Sequence, residues 1–234
     1  MSIADKTVLI TGASRGIGQA LVEEALTRGA RRVYAAARRP ASHPDERVTP
    51  LTLDVTDAAQ VQAAAERVGS LDMLVNNAGL ALFEGLGDRA ALERHLAVNL
   101  FGTYAVTEAF LPALTRSGGA IVNNLSLNSL APLPALAAYS VSKAAAFSLT
   151  QSLRTSLAER GVRVHAVLTG PTDTDMVRDL DIPKASPRSV ARAIFDAVDR
   201  GEEDIFPDPL AQSLADGWRT GAVKAFERQL AEIR

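Results

Sequence analysis

The stretch Val8-Leu-Ile-Thr-Gly-Ala-Ser-Arg-Gly-Ile-Gly18 decides the fold of this 234-residue chain. A short apolar run ends in a loop with three glycines, and the segment after it, residues 19–28, is typical of a helix. A strand, a tight glycine turn and a helix N-terminus together bring backbone amides against a pyrophosphate, and glycine permits the close approach. We therefore predict a dinucleotide-binding loop formed by Gly12, Ser14, Arg15, Gly16, Ile17 and Gly18.

Strand-like and helix-like segments alternate along the chain on either side of this loop. The expected strands are Thr7–Ile10, Arg32–Ala37, Val48–Leu53, Met73–Asn76, Ala120–Leu125, Arg163–Leu168 and Asp204–Phe206. The expected helices are Ile17–Arg28, Ala58–Val68, Asp88–Ala97, Asn99–Arg116, Ala138–Arg160, Ser189–Asp199 and Leu210–Ile233. This alternation predicts an α/β fold, a doubly wound Rossmann-type parallel sheet of about seven strands with helices on both faces, plus a C-terminal helix.

The chain shows no linker and no internal repeat, so we expect residues 1–234 to form a single domain. In the last predicted helix, Trp218, Ala222 and Phe226 have the spacing of a buried face.

The composition is that of an ordinary globular protein, with 47% hydrophobic and 22% charged residues. A net charge of −2 gives no field that would recruit nucleic acid or an anionic membrane. The chain has no cysteine, which excludes disulfides and a thiol nucleophile, and it offers no metal-binding motif such as His-Glu-x-x-His. The N-terminus lacks the apolar core of a signal peptide and no run approaches the ~18 apolar residues of a membrane span, so we expect a cytoplasmic protein.

A second informative stretch is Ala138-Tyr-Ser-Val-Ser-Lys-Ala-Ala-Ala146. If this segment is helical, Tyr139 and Lys143 share one face, and a nearby ammonium favours the phenolate and lowers the tyrosine pKa. Ser126 ends a strand-like run 13 residues upstream, where its hydroxyl could hold a carbonyl oxygen beside the phenol. An isolated Tyr-x-x-x-Lys would more simply be a surface pair, so the interpretation depends on its context.

That context is a third motif, Asn76-Asn77-Ala78-Gly79, which lies between the other two. The glycine loop with Gly-x3-Gly-x-Gly spacing, the Asn-Asn-Ala-Gly segment and Tyr-x-x-x-Lys follow one another in this order. The sequence thereby resembles the classical short-chain dehydrogenase/reductase family. The resemblance implies that Ser126 holds a substrate oxygen, that Tyr139 transfers a proton, and that Lys143 lowers the tyrosine pKa and binds the nicotinamide ribose.

The resemblance also assigns Asn99, which would bend its helix and hold a water linked to the catalytic lysine. Without the resemblance, an asparagine inside a helix would be regarded as structural. His95, one turn earlier, has no aspartate or serine spaced to it, so we expect a helix-face histidine rather than a general base.

The end of the second strand indicates the cofactor. An acidic residue there would bond the ribose of NAD, whereas arginine accommodates the 2′-phosphate of NADP. Here Ala37 occupies the acidic position and Arg38-Arg39 follow, while Arg15 lies inside the glycine loop. Two guanidiniums converging on one phosphate would give charge-assisted hydrogen bonds, so we predict NADP(H), with solvated surface charge as the other interpretation of these arginines.

The other cofactor contacts follow from the resemblance. Asp54 and Val55 would border the adenine, although Asp54 could equally be a turn residue and Asp57 a helix cap. The backbone at Asn77, Ala78 and Gly79 would lie beneath the adenosine ribose. Gly170, Thr172 and Thr174 would contact the nicotinamide, with helix capping as the other interpretation of the two threonines.

Two departures from the family pattern affect these expectations. The usual Pro-Gly is replaced by Thr169-Gly170, which leaves the rigidity of the nicotinamide loop open. The usual ending, a strand followed by Asp-Gly-Gly, is missing. Because that strand commonly builds the family's tetramer, we expect a homo-oligomer in which a dimer is at least as plausible as a tetramer.

These observations predict an NADPH-dependent enzyme that reduces a ketone or aldehyde to an alcohol, reversibly. A regulatory protein that binds NADP(H) with little turnover is the alternative, although it would be expected to have lost Ser126, Tyr139 or Lys143. Apolar residues near the predicted mouth favour a small hydrophobic carbonyl or alcohol as substrate; they are Leu82, Phe83, Leu133, Met176 and Val177. Leu127 and Leu130 are expected to form part of the same wall or of the core.

Overall fold

A parallel sheet runs through the middle of the computed structural model, which describes residues 2–84 and 86–231. Within these residues the sheet has seven strands, in the order β3-β2-β1-β4-β5-β6-β7, and every neighbouring pair is parallel. The strands are β1 (Thr7–Thr11), β2 (Arg32–Ala37), β3 (Val48–Thr52), β4 (Met73–Asn76), β5 (Ala120–Asn124), β6 (Arg163–Val167) and β7 (Asp204–Ile205). The predicted fold class is confirmed.

Helices cover both faces of this sheet. They are α1 (Gly16–Thr27), α2 (Ala58–Val68), α3 (Arg89–Leu96), α4 (Thr103–Ser117), α5 (Ala137–Leu157), α6 (Pro187–Asp199), α7 (Pro209–Thr220) and α8 (Ala222–Ala231). Neighbouring side chains of β1 point to opposite faces, so Val8 and Ile10 pack in the cluster that contains α1 and α6, whereas Leu9 packs with α2 and α4. The core therefore lies in two layers, one on each side of the sheet.

The two edge strands are short or interrupted. Strand β3 contains Pro50, which has no amide to donate, and β7 has only two residues. The order of the strands places the carboxyl ends of β1, β4, β5 and β6 side by side, and all the predicted motifs follow these ends.

Most predicted boundaries differ from the observed ones by one or two residues, but two helices differ in kind. Residues Ala97–Gly102 form a π-helical turn, so the expected helix Asn99–Arg116 becomes regular only at Thr103. The expected terminal helix is two helices, because Gly221 has extended backbone and separates α7 from α8. Its predicted end, Ile233, lies outside the described residues.

The orientation of α8 also differs from the prediction. Phe226 is 58% exposed and Ala222 is exposed, so neither belongs to a buried face. Lys224 is buried instead, and its ammonium lies 2.7 Å from the carboxylate of Asp204 on β7. Trp218 on α7 is half-buried and donates to the same carboxylate. Helix α8 is therefore held to the sheet by charge, and its apolar side chains face outward.

Candidate active site

The glycine loop follows β1 and contains positions where a side chain would not fit. Gly12 and Gly16 have positive φ angles of 64° and 56°. A Cβ on Gly18 would lie 2.1 Å from the Gly12 carbonyl oxygen, and one on Gly12 would lie 2.8 Å from the Cα of Ala78. The glycines are therefore required by backbone contacts, both within the loop and with the segment after β4.

Helix α1 begins in this loop without a side-chain cap. Its N-cap residue, Arg15, is extended and makes no capping hydrogen bond, and Ser14 and Arg15 are exposed at the turn before Ile17. By contrast, α2, α3, α6 and α7 begin at side-chain caps, which are Asp57, Asp88, Ser186 and Asp208. The amides of the first turn of α1 thus point to a place suited to an anion, and the loop fits a pyrophosphate.

Asn77 connects this loop to the neighbouring strands. Its side-chain amide donates to the carbonyls of Thr11 and Gly12 at 3.0 and 3.2 Å. Its side-chain oxygen accepts a 2.9 Å hydrogen bond from Asn124 at the end of β5. Since this carboxamide is bonded on both sides, it fixes the loop against β4 and β5.

The predicted adenine side is built around Asp54. This carboxylate accepts hydrogen bonds from the amide and the hydroxyl of Thr56 at 3.0 and 2.7 Å, which is the geometry of a turn residue. These bonds, helped by the charge of Arg38, lower the pKa of Asp54. Val55 packs on the π-helical turn, where a Cβ on Gly102 would lie 2.6 Å from it. Asp57 caps α2, as the other interpretation proposed.

The two arginines assigned to the 2′-phosphate have different partners in the structure. Arg15 forms a 2.7 Å ion pair with Asp175, which lies beyond β6 and also bonds Arg178. Arg38 lies close enough to Asp54 to affect its pKa. Arg15 is thus bonded to the segment after β6, and the convergence of the two guanidiniums on a phosphate stays a prediction.

The three residues of the predicted catalytic centre do come together. Tyr139 and Lys143 are buried on α5, at 8% and 6% exposure. The hydroxyl of Ser126, at the end of β5, forms a hydrogen bond with the Tyr139 phenol. The Lys143 ammonium lies 5.7 Å from the centre of the Tyr139 ring and donates to the carbonyl of Asn124 at 2.8 Å. The serine, phenol and ammonium thus share one wall at the carboxyl end of β5.

The pKa values within this cluster differ from the sequence-based expectation. Burial raises the pKa of Tyr139 to about 12, although the hydrogen bond from Ser126 acts in the opposite direction. Burial also lowers the pKa of Lys143 to about 8. The prediction that the ammonium lowers the phenol pKa is wrong for the protein alone, because desolvation disfavours both charged forms and the ammonium bonds a backbone carbonyl.

Asn99 lies in the π-helical turn and is 2% exposed. Its side-chain oxygen accepts from the amide of Leu80 at 2.8 Å, and its side-chain amide donates to the Leu80 carbonyl and to Ser142 at 2.9 Å. A Cβ on Gly79 would lie 3.5 Å from the Asn99 oxygen and 3.8 Å from the Lys143 ammonium. A π-helical turn interrupts the regular helix at Asn99, and Asn99 holds the segment after Gly79 beside the lysine.

The loop after β6 is connected to the neighbouring segments by side-chain hydrogen bonds. The hydroxyl of Thr169 donates to the side-chain oxygen of Asn124 at 2.7 Å, and the amide of Gly170 donates to Asp208 at 2.7 Å. A Cβ on Gly170 would lie only 2.5 Å from the Asp208 carboxylate. Thr174 is the N-cap residue of a short 3-10 helix, Asp175–Val177, but its side chain makes no capping hydrogen bond. The hydroxyl of Thr174 donates to the Thr172 carbonyl, and that of Thr172 to the Gly170 carbonyl.

Two residues that the sequence analysis did not place in the site contribute to it. Asp208 precedes Pro209, a combination that indicates a helix start but gives no sign of a contact with Gly170. His95 was expected on a helix face, but it is fully buried, and its ring packs against Tyr139 with 6.2 Å between the ring centres. No sequence pattern indicated this contact, since it depends on the packing of α3 against α5.

Several of the apolar side chains expected at the mouth of the site are exposed. Phe83, Leu133 and Met176 are 51%, 45% and 43% exposed and come from three separate segments. Leu82, Leu127, Leu130 and Val177 are half-buried. The segment that could cover the site is short, because Ala185 returns to bridge Thr172.

The described residues contain no group of three His, Asp or Glu side chains arranged to hold a metal ion. None of the helices in residues 2–84 and 86–231 has the length and apolar character needed to cross a bilayer.

Residues 6–184 match the family model for short chain dehydrogenases, so the chain belongs to this family of oxidoreductases. It is 36% identical over 208 residues to the 2-(S)-hydroxypropyl-CoM dehydrogenase 3 of Xanthobacter autotrophicus, covering 82% of each chain. It is similar to a Burkholderia cenocepacia short chain dehydrogenase solved with NADP, with 39% identity, a TM-score of 0.90, and 98% and 99% of the two chains covered. It also resembles a 3-ketoacyl-(acyl-carrier-protein) reductase from Brucella melitensis solved with NADH, with 25% identity, a TM-score of 0.78, and 90% and 93% covered.

Proposed function

We propose that the protein is an NADP(H)-dependent carbonyl reductase that also runs in reverse as an alcohol dehydrogenase. The observation that carries this proposal is the buried cluster in which Ser126 and Tyr139 share a hydrogen bond and Lys143 lies against the same ring. These groups lie on one wall of the site, beside Gly79 and the glycine loop. Polar groups at this place, on the carboxyl ends of parallel strands, are where ligands of such sheets bind.

In reduction, Ser126 holds the substrate oxygen and Tyr139 donates the proton. A phenol with a pKa of about 12 is fully protonated at neutral pH, which is the state a proton donor needs. When bound, the nicotinamide supplies the hydride. Lys143 would hold the nicotinamide ribose, and its positive charge would stabilise the phenolate that forms as the proton leaves.

The choice of NADP(H) is supported by the second strand and by one similar structure. Strand β2 ends at Ala37 without an acidic side chain, and Arg38 follows beside Asp54. The Burkholderia cenocepacia protein was solved with NADP, whereas the more distant reductase was solved with NADH. The residues that would hold the cofactor are the glycine loop, Arg38, Asp54, Val55, Asn77, Ala78, Gly79, Gly170, Thr172 and Thr174, with Arg15 free to join once it leaves Asp175.

The proposed substrate is a small hydrophobic ketone or aldehyde. The support is the exposure of three apolar side chains expected at the mouth, which are Phe83, Leu133 and Met176. An apolar mouth binds an aliphatic or aryl group through burial of its surface, while Ser126 and Tyr139 orient the carbonyl.

A homo-oligomer and a cytoplasmic location are also part of the proposal. Support for association comes from α8, where Val223, Phe226 and Leu230 are 65%, 58% and 47% exposed along one side of the helix. Side chains three and four residues apart on a helix form a continuous stripe, and an exposed apolar stripe is typical of a subunit contact.

The decisive experiment compares two tyrosine variants. Oxidation of NADPH is followed with hexanal, benzaldehyde, acetophenone and cyclohexanone, and in parallel with NADH. Tyr139→Phe is expected to lower kcat by about 10³-fold, the range for loss of a general acid, while NADPH still binds. Tyr104→Phe is the matched control, because Tyr104 is exposed and bonds only Glu108 among its described partners.

Substantial carbonyl reduction by Tyr139→Phe would remove Tyr139 as the proton donor. A strong preference for NADH would refute the assignment of Arg38. Tight NADPH binding without turnover of any carbonyl in the panel would instead favour the regulatory alternative.

A further inference from the structure

His95 is a buried polar ring that touches the catalytic tyrosine. It lies on α3 and is 0% exposed, and its ring meets that of Tyr139 at 69° with 6.2 Å between centres. This is the T-shaped arrangement preferred by aromatic pairs, at a distance within their usual range. The phenol ring is therefore supported from the side by an imidazole.

Both nitrogens of this imidazole are occupied by backbone groups. Nε2 lies 3.0 Å from the amide nitrogen of Leu82, and Nδ1 lies 2.8 Å from the carbonyl oxygen of Ala91. Because an amide can only donate, Nε2 accepts, and the proton is on Nδ1, which donates to Ala91. His95 is thus a neutral tautomer with no nitrogen left for substrate, which excludes a role as general acid or base in this arrangement.

The same ring fixes the backbone at the mouth of the site. Leu82 belongs to the segment that follows Gly79, and Asn99 already holds Leu80 through both its amide and its carbonyl. His95 holds the segment again two residues further on, just before the exposed Phe83. One side chain therefore connects α3, the apolar wall of the mouth and the phenol on α5.

We propose that His95 is a positioning residue that holds the apolar wall at Leu82 and the Tyr139 phenol in a fixed position relative to each other. This inference rests on the proposed function, in which the phenol donates a proton to a carbonyl lying against that wall. Holding reacting groups in register matters because small displacements cost large factors in rate. The aromatic contact orients the proton donor, whereas the hydrogen bond to Leu82 orients the surface that the substrate touches.

These two roles can be separated by two substitutions. His95→Phe keeps an aromatic ring beside Tyr139 but leaves the Leu82 amide without its acceptor. His95→Gln keeps an acceptor that can reach Leu82 but removes the ring. Because the wall contacts the substrate before and during the reaction, we expect His95→Phe to raise KM for the carbonyl about tenfold with kcat nearly unchanged.

For His95→Gln we expect the opposite pattern. The phenol loses its lateral support, and its orientation matters only when the proton moves, so kcat should fall about tenfold with KM nearly unchanged. A merely structural histidine would not divide kcat and KM between the two variants.

The test uses NADPH and the carbonyl of the panel that the wild type reduces fastest. The matched control is His165→Phe, because His165 is the other deeply buried histidine of the described chain, on β6, with Nδ1 bonded to the Glu202 carbonyl. Its kcat and KM should stay within about twofold of the wild type. Binding of NADPH, followed by fluorescence, verifies that each variant is folded.

Unchanged kcat and KM in folded His95→Gln would overturn the proposal, as would equal losses of kcat in both His95 variants. If His95→Phe does not fold, His95→Gln decides alone. The proposed function fails separately, by retained activity of Tyr139→Phe, whereas an inactive Tyr139→Phe with unaffected His95 variants removes only the role of His95.

Discussion

Two lysines are buried in this protein, and they are held in opposite ways. Lys143 on α5 and Lys224 on α8 are 6% and 3% exposed. Lys224 is surrounded by carboxylates, with Asp204, Glu203 and Glu227 at 2.7, 3.0 and 3.1 Å. Lys143 donates to the carbonyl of Asn124, and the only effect on its pKa is burial.

The pKa values follow from this difference. Burial alone would lower the pKa of Lys224, but the hydrogen bond and charge of Asp204 outweigh it and the pKa is raised. Burial is unopposed at Lys143, where the pKa falls to about 8. Equal burial therefore does not define a role. An ammonium that is paired with carboxylates stabilises the fold. An ammonium whose pKa lies close to neutral pH can change its protonation when a ligand binds or when the neighbouring phenol becomes charged.

The strongest expected contrast is in activity, with the same substitution made at both lysines. Lys143→Met removes the charge that would stabilise the Tyr139 phenolate, so kcat/KM should fall by about 10³-fold. Its free energy of unfolding at pH 7 should change by no more than about 1 kcal/mol, because the loss of one hydrogen bond is offset by removal of a buried charge. Steady-state kinetics and urea denaturation measure the two quantities. A large loss of stability would mean that Lys143 is a structural lysine like Lys224.

Lys224→Met should reverse this pattern. It leaves the buried carboxylate of Asp204 with Arg154 as its remaining cation, so unfolding should become easier by about 3 kcal/mol. Activity per folded molecule should stay within about twofold of the wild type. Urea denaturation at neutral pH gives the first value and kinetics at saturating NADPH the second. A stability equal to wild type would show that the charged cluster on α8 contributes nothing.

The pH dependence of stability should differ in sign between the two sites. The folded pKa of Lys143, about 8, is below its ordinary value of 10.5, so the unfolded chain binds more protons between these limits. The ionised lysine therefore destabilises the fold fully below about pH 8, and this penalty fades as the pH rises toward 10.5. From pH 7 to 9.5 the wild type should gain about 2 kcal/mol relative to Lys143→Met.

At Lys224 the folded pKa is raised, so its contribution is stabilising, is present below 10.5, and is lost only as the pH rises through the higher folded value. Wild type and Lys224→Met should therefore keep a constant difference between pH 7 and 9.5. Parallel urea titrations at the two pH values check both sites, and a constant difference for Lys143→Met would refute its lowered pKa.

The smallest expected effect is at Asp208, a buried carboxylate that is bonded by backbone amides rather than by a lysine. One oxygen of Asp208 caps α7 through the amide of Ala211 at 3.0 Å, and the other accepts from Gly170. Asp208→Ser keeps a capping oxygen but cannot hold both amides. We expect KM for NADPH to rise about threefold while that for the carbonyl changes less, because the loop after β6 loosens. An unchanged KM would show that the cap is the only role of Asp208.

The sequence alone was sufficient for the fold and for bringing Ser126, Tyr139 and Lys143 together, because their signals are local. The glycine loop, the Asn-Asn-Ala-Gly segment and the Tyr-x-x-x-Lys pair each follow a strand, and parallel strands bring their carboxyl ends together. The single domain over residues 1–234 stays a prediction. The turn at Asp54 and the cap at Asp57 were stated as alternatives, because an aspartate directly before a helix is itself a sequence signal for a cap.

The rest depends on contacts between distant elements. His95 reaches Tyr139 only because α3 packs against α5, and Asp208 reaches Gly170 across 38 residues. The orientation of α8 was predicted wrongly because its apolar spacing fits burial, whereas the charges around Asp204 outweigh that tendency. The pKa of Tyr139 was also missed, since desolvation cannot be read from the spacing of two residues.

The edges of the sheet have a consequence for behaviour at high concentration. An open edge strand is a template on which another molecule can add its own strand, and such growth leads to insoluble fibres. On one side Pro50 removes an amide from β3, and on the other β7 offers two residues and carries α7 and α8 through Asp204. The described sheet therefore presents little at either border on which another molecule could add a strand, and this limits fibre growth by edge pairing.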